Sequence, residues 1–386
     1  MLDLHVALET VTPLFLGGAE PDTRAEIRPP SLKGALRFWY RALDGNFRSD
    51  ELGESAAFGS TGVGQAPILL RLNNQVVGTE PWRPSEPIDA QDSQEGINGA
   101  VYLGYSLTLG HNDRRAIPAG RTLSLTATAH PRATAAEQRA WLAAFWCLTH
   151  FGGLGARVRR GLGSLRLARF DGWPEASALG PPSGTNPDAW IAELVQGLTT
   201  LRHWYPHCPH VDHPILDHQV RVLLLRQGHD RWEHALAAAG AILQRYRLRR
   251  NPDHDDIEAY LFPQNMAPGQ QLMRAPERAA FGLPLTFRFT REVHGQDDRR
   301  TVTFEGEEHD RQPSPLWIRI AKIGSQYHPL FVLLNSPFLE PGVRLKLHSR
   351  PGSVPFSRPA RDILNDFLDH AVAIHPHIEI APWQRR

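Results

Sequence analysis

LDLHVALETVTPLFLGG (residues 2–18) and, beyond a polar loop, PSLKGALRFWYRAL (residues 30–43) decide how this chain begins to fold. In the first stretch Leu2, Leu4, Val6 and Leu8 alternate with Asp3, His5, Ala7 and Glu9, the two-residue period of a half-buried strand. Thr12-Pro13 and Gly17-Gly18 break the strand, and the second stretch has helical spacing with Ser31 as its expected cap. At 100° per residue Leu32, Leu36, Trp39 and Leu43 share one face of that helix, and Lys33, Arg37, Tyr40 and Arg41 fall on an adjacent one. The chain therefore opens as strand, glycine loop and half-basic helix.

Outward from this start, strands are expected at residues 67–72, 100–109, 122–129 and 164–170, with a helix at 135–149. Residues 171–189, DGWPEASALGPPSGTNPDA, have the composition of a connector. We expect one domain over residues 1–175 and a second over 185–386. The second half has helical spacing at 190–204, 231–248 and 361–371, and strand patterns at 284–289, 315–320, 330–334 and 343–348. Residues 291–312 alternate charge blocks and suit an exposed loop or hairpin. Both halves are mixed, so the fold class is α+β.

The chain has 386 residues, 41% hydrophobic and 22% charged, a composition that folds and is long enough for two cores. Lys+Arg is 42 against Asp+Glu 41, so a polyanion partner would need a local basic site rather than a global excess of charge. Two cysteines, Cys147 and Cys208, cannot form a disulfide framework. No stretch reaches the roughly 18 uninterrupted apolar residues of a membrane span. The opening residues lack the pattern of a secretory leader, and the expected compartment is the cytoplasm.

Basic residues are segregated at two places. Arg28, Lys33, Arg37 and Arg41 meet no acid between Ile27 and Leu43, and the helix N-terminus adds its own positive end just after Gly17 and Gly18. FGGLGARVRRGLGSL (residues 151–165) sets Arg157, Arg159 and Arg160 among glycines, and Arg166 and Arg169 follow before the first acid, Asp171. Glycines such as Gly153, Gly155 and Gly161 would let backbone amides approach phosphates that the arginine forks grip. This is backbone contact rather than base reading. The loop follows a helix, whereas nucleotide-binding glycine loops follow a strand, which disfavours ATP and NAD; no cofactor is expected. Tyr40 is placed to stack on a base or sugar. A third run, Arg245, Arg247, Arg249 and Arg250, precedes acids at 253–258 that would neutralise it. His203, His207, Cys208, His210 and His213 are zinc-type ligands, but their spacing is not a standard one and no metal is assigned to them.

ETVTPLFLGGAEPDTRAEIRPPSLKGALRFWYRAL (residues 9–43) together with the glycine-arginine loop resembles the RAMP superfamily of CRISPR-associated proteins, and within it the first-subunit group of the type III-B (Cmr) RNA-guided effector. Residues 57–60 and 102–105, and further on 278–289 and 314–320, add to the likeness. The resemblance implies ferredoxin-like, RRM-related folds with insertions, two in this chain. It also implies a non-catalytic subunit that holds guide and target RNA near the guide's 3′ end, beside other Cmr subunits, in antiviral defence. The matching RNA-contact positions are Lys33, Arg37, Arg41, Arg157, Arg159 and Arg160. Two other readings remain: a RAMP endoribonuclease cutting without metal, with His5, His150 or Asp22 as candidates, and a protein scaffold whose basic loops meet acidic partners.

Overall fold

The computed structural model describes residues 2–49, 53–84, 94–107, 114–206, 213–248, 253–262, 272–293, 296–348 and 352–380. The N-terminal half contains β1 (Leu2–Thr10), β2 (Ala25–Glu26), α1 (Pro29–Leu43), α2 (Glu54–Phe58), β3 (Ile68–Leu72), β4 (Val77–Gly78), α3 (Gly99–Gly104), β5 (Thr122–Ala129), α4 (Ala135–His150) and β6 (Leu165–Asp171). The main sheet has the order β3-β5-β1-β6 and is antiparallel throughout. Ranked by their place in the chain, its strands run 4-1-3-2 from β6, with α1 after the first and α4 after the third. That is the ferredoxin-like arrangement.

Local sequence explains most of these elements. Leu4, Val6 and Leu8 of β1 are buried while His5, Ala7 and Glu9 are half-buried, as the alternation requires. The cap of α1 is different from expectation: Arg28 is the N-cap residue, and two prolines fill the first turn in place of a Ser31 cap. α4 starts with a reciprocal capping box between Thr134 and Glu137. Its residues from Ala140 to His150 are all buried, so it lacks a polar face. The apolar run AVYLG near residue 100 forms α3 rather than a strand, because Asn98 accepts a hydrogen bond from the Val101 amide and caps a helical turn. Residues 108–109 of that expected strand lie outside the described residues.

The C-terminal half contributes α5 (Pro187–Trp204), β7 (Arg221–Leu225), α6 (Trp232–Leu248), α7 (Asp253–Leu261), β8 (Leu285–Val293), β9 (Gln296–Gly306), β10 (Leu316–Ile323), β11 (Gln326–Leu333), β12 (Arg344–His348), β13 (Ser353–Pro355), α8 (Ala360–Phe367) and β14 (His377–Ile380). A second sheet has the order β10-β11-β7-β14. Its strands again run 4-1-3-2 from β14, with α6 after the first strand and α8 after the third, so the ferredoxin-like plan occurs twice. A third sheet, β13-β12-β9-β8, comes from segments inserted into the second copy, and β8 and β9 form the hairpin expected near residues 291–312.

The chain divides into two compact units. Unit 1 comprises Met1–Ala241, Trp317–Ser336 and His375–Arg386; unit 2 comprises Ile242–Leu316 and Pro337–Ile374. Unit 1 thus holds the first sheet and almost all of the second, around one core that includes Leu4, Val6, Trp39, Trp141, Val222, Trp317 and Leu330. The stretch 171–189 falls inside unit 1. Unit 2 carries the third sheet and has its own buried residues, among them Phe304, Leu345, Phe356 and Phe367.

Candidate nucleic-acid interface

In unit 1 the glycine-arginine loop leaves the end of α4 and returns as β6, and its backbone is tied down at nearly every turn. The Ala156 amide donates to Phe15 O at 2.8 Å, Gly163 N to Pro13 O at 2.9 Å and Leu154 N to Gly163 O at 2.9 Å. On the other side Gly161 N donates to Ile318 O at 2.8 Å and Ile318 N to Arg159 O at 3.2 Å, so β10 backs the loop. Thr12 Oγ1 donates to Gly161 O at 2.8 Å, and Ser164 Oγ accepts from the Ile320 amide at 3.1 Å.

This bracing changes what the glycines do. A Cβ at Gly153 would come within 2.4 Å of Gly163 O, and one at Gly155 within 2.4 Å of Phe15 O. At Gly161, which has φ of 82°, it would meet the Leu236 side chain at 2.5 Å. These glycines admit the protein's own chain, not a phosphate, and Gly153 and Gly161 are buried. At Gly17-Gly18 the Glu26 carboxylate already occupies the ground an anion would take: it accepts from the Ala19 amide at 3.2 Å, and a Cβ at Gly18 would strike its side chain. At Gly18, Gly153, Gly155 and Gly161 the close approach in the structure is therefore to the protein's own chain.

The arginines remain at the loop's tip. Arg157, Arg159 and Arg160 are half-buried. Arg157 has φ of 59°, a left-handed turn that the loop imposes on a non-glycine residue. The guanidinium of Arg159 lies over Trp317 at 4.7 Å and over Phe38 of α1 at 5.5 Å, which fixes the plane of its fork. Burial lowers its pKa to about 10, so it stays charged at neutral pH. His213 joins the same cluster: its ring is 5.0 Å from Phe38 and 5.9 Å from Phe47. Burial and the nearby charges of Arg41 and Arg159 lower its pKa and keep it neutral. The loop and α1 are thus brought to one place in unit 1.

On α1 the basic residues have different fates. Arg41 donates through Nη2 to Glu54 Oε1 at 2.8 Å and through Nε to Oε2. Arg37 Nε lies 3.5 Å from the same carboxylate, and its Nη2 donates to the Phe58 and Gly59 carbonyls. Lys33 is half-buried with no ion pair among the described residues, and burial together with Arg37 lowers its pKa. Tyr40 is buried among Phe58 and Tyr205, with its hydroxyl donating to Asp44 at 2.5 Å, so its ring is core and unavailable for stacking on a base. The helix is wider on its apolar side than the sequence suggested, because α2 and the segment near Tyr205 cover that flank.

The other candidates do not form a centre. His5 is half-buried on β1, Asp22 is exposed in a loop, and His150 is stacked on Trp146 at 4.1 Å between ring centroids; no described hydrogen bond or ion pair links any two of them. Of the zinc-type residues, His207, Cys208 and His210 lie outside the described residues, and His203 is exposed at the end of α5. Among the described residues no group of three metal-ligating side chains exists. No described helix is long and apolar enough to cross a membrane. Sequence reasoning missed Phe38 and Trp317 as the rings under Arg159 and Glu54 as the partner of Arg37 and Arg41. Trp317 carried one signal, its place inside the resembling stretch 314–320.

With two ferredoxin-like copies and this loop in view, the comparisons can be set beside the geometry: residues 7–166 match the family model of the RAMP superfamily. Two curated relatives from Pyrococcus furiosus are similar to it, Cmr subunits Cmr1-1, 26% identical over 180 residues, and Cmr1-2, 27% over 182 residues. Each match covers 42% of this chain, with 46% of the first relative and 92% of the second, so the chain matches about half the length of Cmr1-1. The crystal structure of Cmr1 from Pyrococcus furiosus in its apo form shares the fold over 99% of both chains, with a TM-score of 0.59 at 17% identity. A chain in a cryo-EM structure of the type III-B Cmr-beta complex bound to cognate target RNA covers 96% of this chain and 99% of its own, with a TM-score of 0.50 at 11% identity.

Proposed function

We propose that this protein is a non-catalytic RNA-binding subunit of a type III-B CRISPR effector, working in the cytoplasm beside other Cmr subunits. It holds guide and target RNA near the guide's 3′ end through the sugar-phosphate backbone. The observation that carries this reading is Arg159, clamped over Trp317 and Phe38 at the tip of a braced loop, with Arg157 and Arg160 beside it and Lys33 on α1. Guide pairing supplies sequence specificity in such a complex, so the protein needs only charge and shape. A rigid group of cations in a chain of net charge +1 meets that need. The names and titles of the similar proteins, Cmr1 subunits and a Cmr complex bound to target RNA, support the same assignment.

Replacing Arg157, Arg159 and Arg160 together by Ala tests it. Each lost phosphate contact should flatten the dependence of log affinity on log salt by about 0.7 for single-stranded RNA. Unchanged affinity and slope in a variant that still melts cooperatively would remove the loop from the interface.

A further inference from the structure

Three aromatic rings of unit 1 lie beside the arginine cluster and keep part of their surface outside the core. Phe38 of α1 and Phe47, in the turn that follows α1, are half-buried and pack against the core. His213 is also half-buried and contacts both, at 5.0 Å from Phe38 and 5.9 Å from Phe47 between ring centroids. The planes meet at 51° and 55°, so these rings do not cover one another face to face. A core pair differs: Phe58 and Trp141 are fully buried and stacked at 20°.

The rings are held in place by the backbone around them. Asp44 O accepts from the Phe47 amide at 3.1 Å, and Phe47 O accepts from the Glu54 amide at 2.8 Å, which fixes the turn. His213 Nδ1 donates to Pro214 O at 2.8 Å, and the segment behind it is tied by Ile215 N to Asn335 O at 2.7 Å and by Leu216 N to Ala42 O at 2.7 Å. Side chains ordered in advance lose little entropy when a ligand settles on them. Cations stand among the rings: Arg159 lies 5.5 Å from the Phe38 ring and Arg48 5.2 Å from the Phe47 ring. Burial chiefly, and then the charges of Arg41 and Arg159, lower the His213 pKa, so its ring is neutral at pH 7. Glu54, an acid near it, is already shared by Arg37 and Arg41. Aromatic faces interleaved with cations suit single-stranded nucleic acid, whose bases stack on the rings while the flanking phosphates meet the arginines. An apolar protein segment would use the rings and leave the arginines without a role.

We propose that Phe38, His213 and Phe47 form a stacking platform for an unpaired base of single-stranded RNA. The platform rests on the RNA-binding reading above and adds sequence-tolerant base contact to its phosphate contacts. It takes the role that helical phase gave to Tyr40. Two ligands of equal charge test it: oligoadenylate of about 10 nucleotides and an abasic ribose-phosphate strand of the same length. The unaltered protein should bind the first about tenfold more tightly, with the same salt slope for both. Phe47→Leu keeps an apolar side chain against the core and should remove most of that difference without changing the affinity for the abasic strand; Phe47→Tyr should retain it. His213→Gln removes the neighbouring ring and should act as Phe47→Leu does, so the test does not hang on the folding of one variant. Equal affinity for the two strands, each still weakened by salt, would overturn the platform and leave the phosphate reading standing. A preference for bases that survives both ring removals would also overturn it. Salt-dependent binding of neither strand would overturn the platform and the RNA-binding reading together.

Discussion

Replacing Glu54 by Gln removes the carboxylate that Arg37 and Arg41 share while keeping the side chain's shape. The two guanidinium side chains are 31% and 38% exposed and the carboxylate 12%, a pair between surface and interior. Exposed pairs are worth up to about 1 kcal/mol and breaking a buried one costs about 3–5, so a loss of about 1–2 kcal/mol and a few degrees of melting temperature is expected. RNA affinity should move the other way. Arg37 keeps its bonds to the Phe58 and Gly59 carbonyls, so Arg41 is the cation chiefly released. If it turns to a phosphate, the salt slope steepens by about 0.7. The assay is titration of single-stranded RNA of about 40 nucleotides at several salt concentrations, alongside thermal melting. Lower melting with an unchanged slope and affinity would refute the idea that this flank of α1 faces RNA.

Tyr40→Phe should lower stability by about 1 kcal/mol through loss of the Asp44 hydrogen bond and leave RNA affinity unchanged; weaker binding would return the ring to the interface. His150 makes stability depend on acid. Its folded pKa of about 3 lies below the ordinary 6.5, so its contribution is fully present above about pH 6.5 and is lost as pH falls toward 3, at up to about 1.4 kcal/mol per unit. Urea midpoints at pH 7 and 5 should therefore draw closer in His150→Phe, and an equal gap would count against this account. The Cys147 thiol is fully buried and its pKa raised by desolvation, so peptide mapping after iodoacetamide treatment should find it unlabelled in native protein and labelled in urea.

What the sequence made legible was local. The alternation in β1, the helical spacing of α1 and the clustering of glycine and arginine at 151–165 each rest on neighbours a few residues apart, and each appears in the structure. The second ferredoxin-like copy was harder to see because its sheet pairs β7 with β14, Leu225 opposite His377, across a long insertion that has no local period. The surroundings of the basic residues were hidden for the same reason. Glu54 lies 13 residues beyond Arg41, outside the acid-free window that made the helix look uniformly basic. The loop's glycines looked open because Pro13, Phe15 and Ile318, which fill the space around them, are distant in the chain. Tyr40 followed helical phase correctly, but phase alone does not say how wide a neighbour's footprint is. Glu26 was the avoidable omission, since it stands eight residues after Gly18 and is an acid able to fold back on the amides.

The most direct test of RNA holding without cutting is the purified protein titrated into end-labelled single-stranded RNA, with and without Mg²⁺, at two salt concentrations, scoring shift and fragments in the same tubes. The account predicts binding that weakens steeply with salt, at a log-log slope of about −2 or more if three or more phosphates are engaged, with the RNA intact. Binding insensitive to salt, or discrete fragments that persist in a clean preparation, would contradict it.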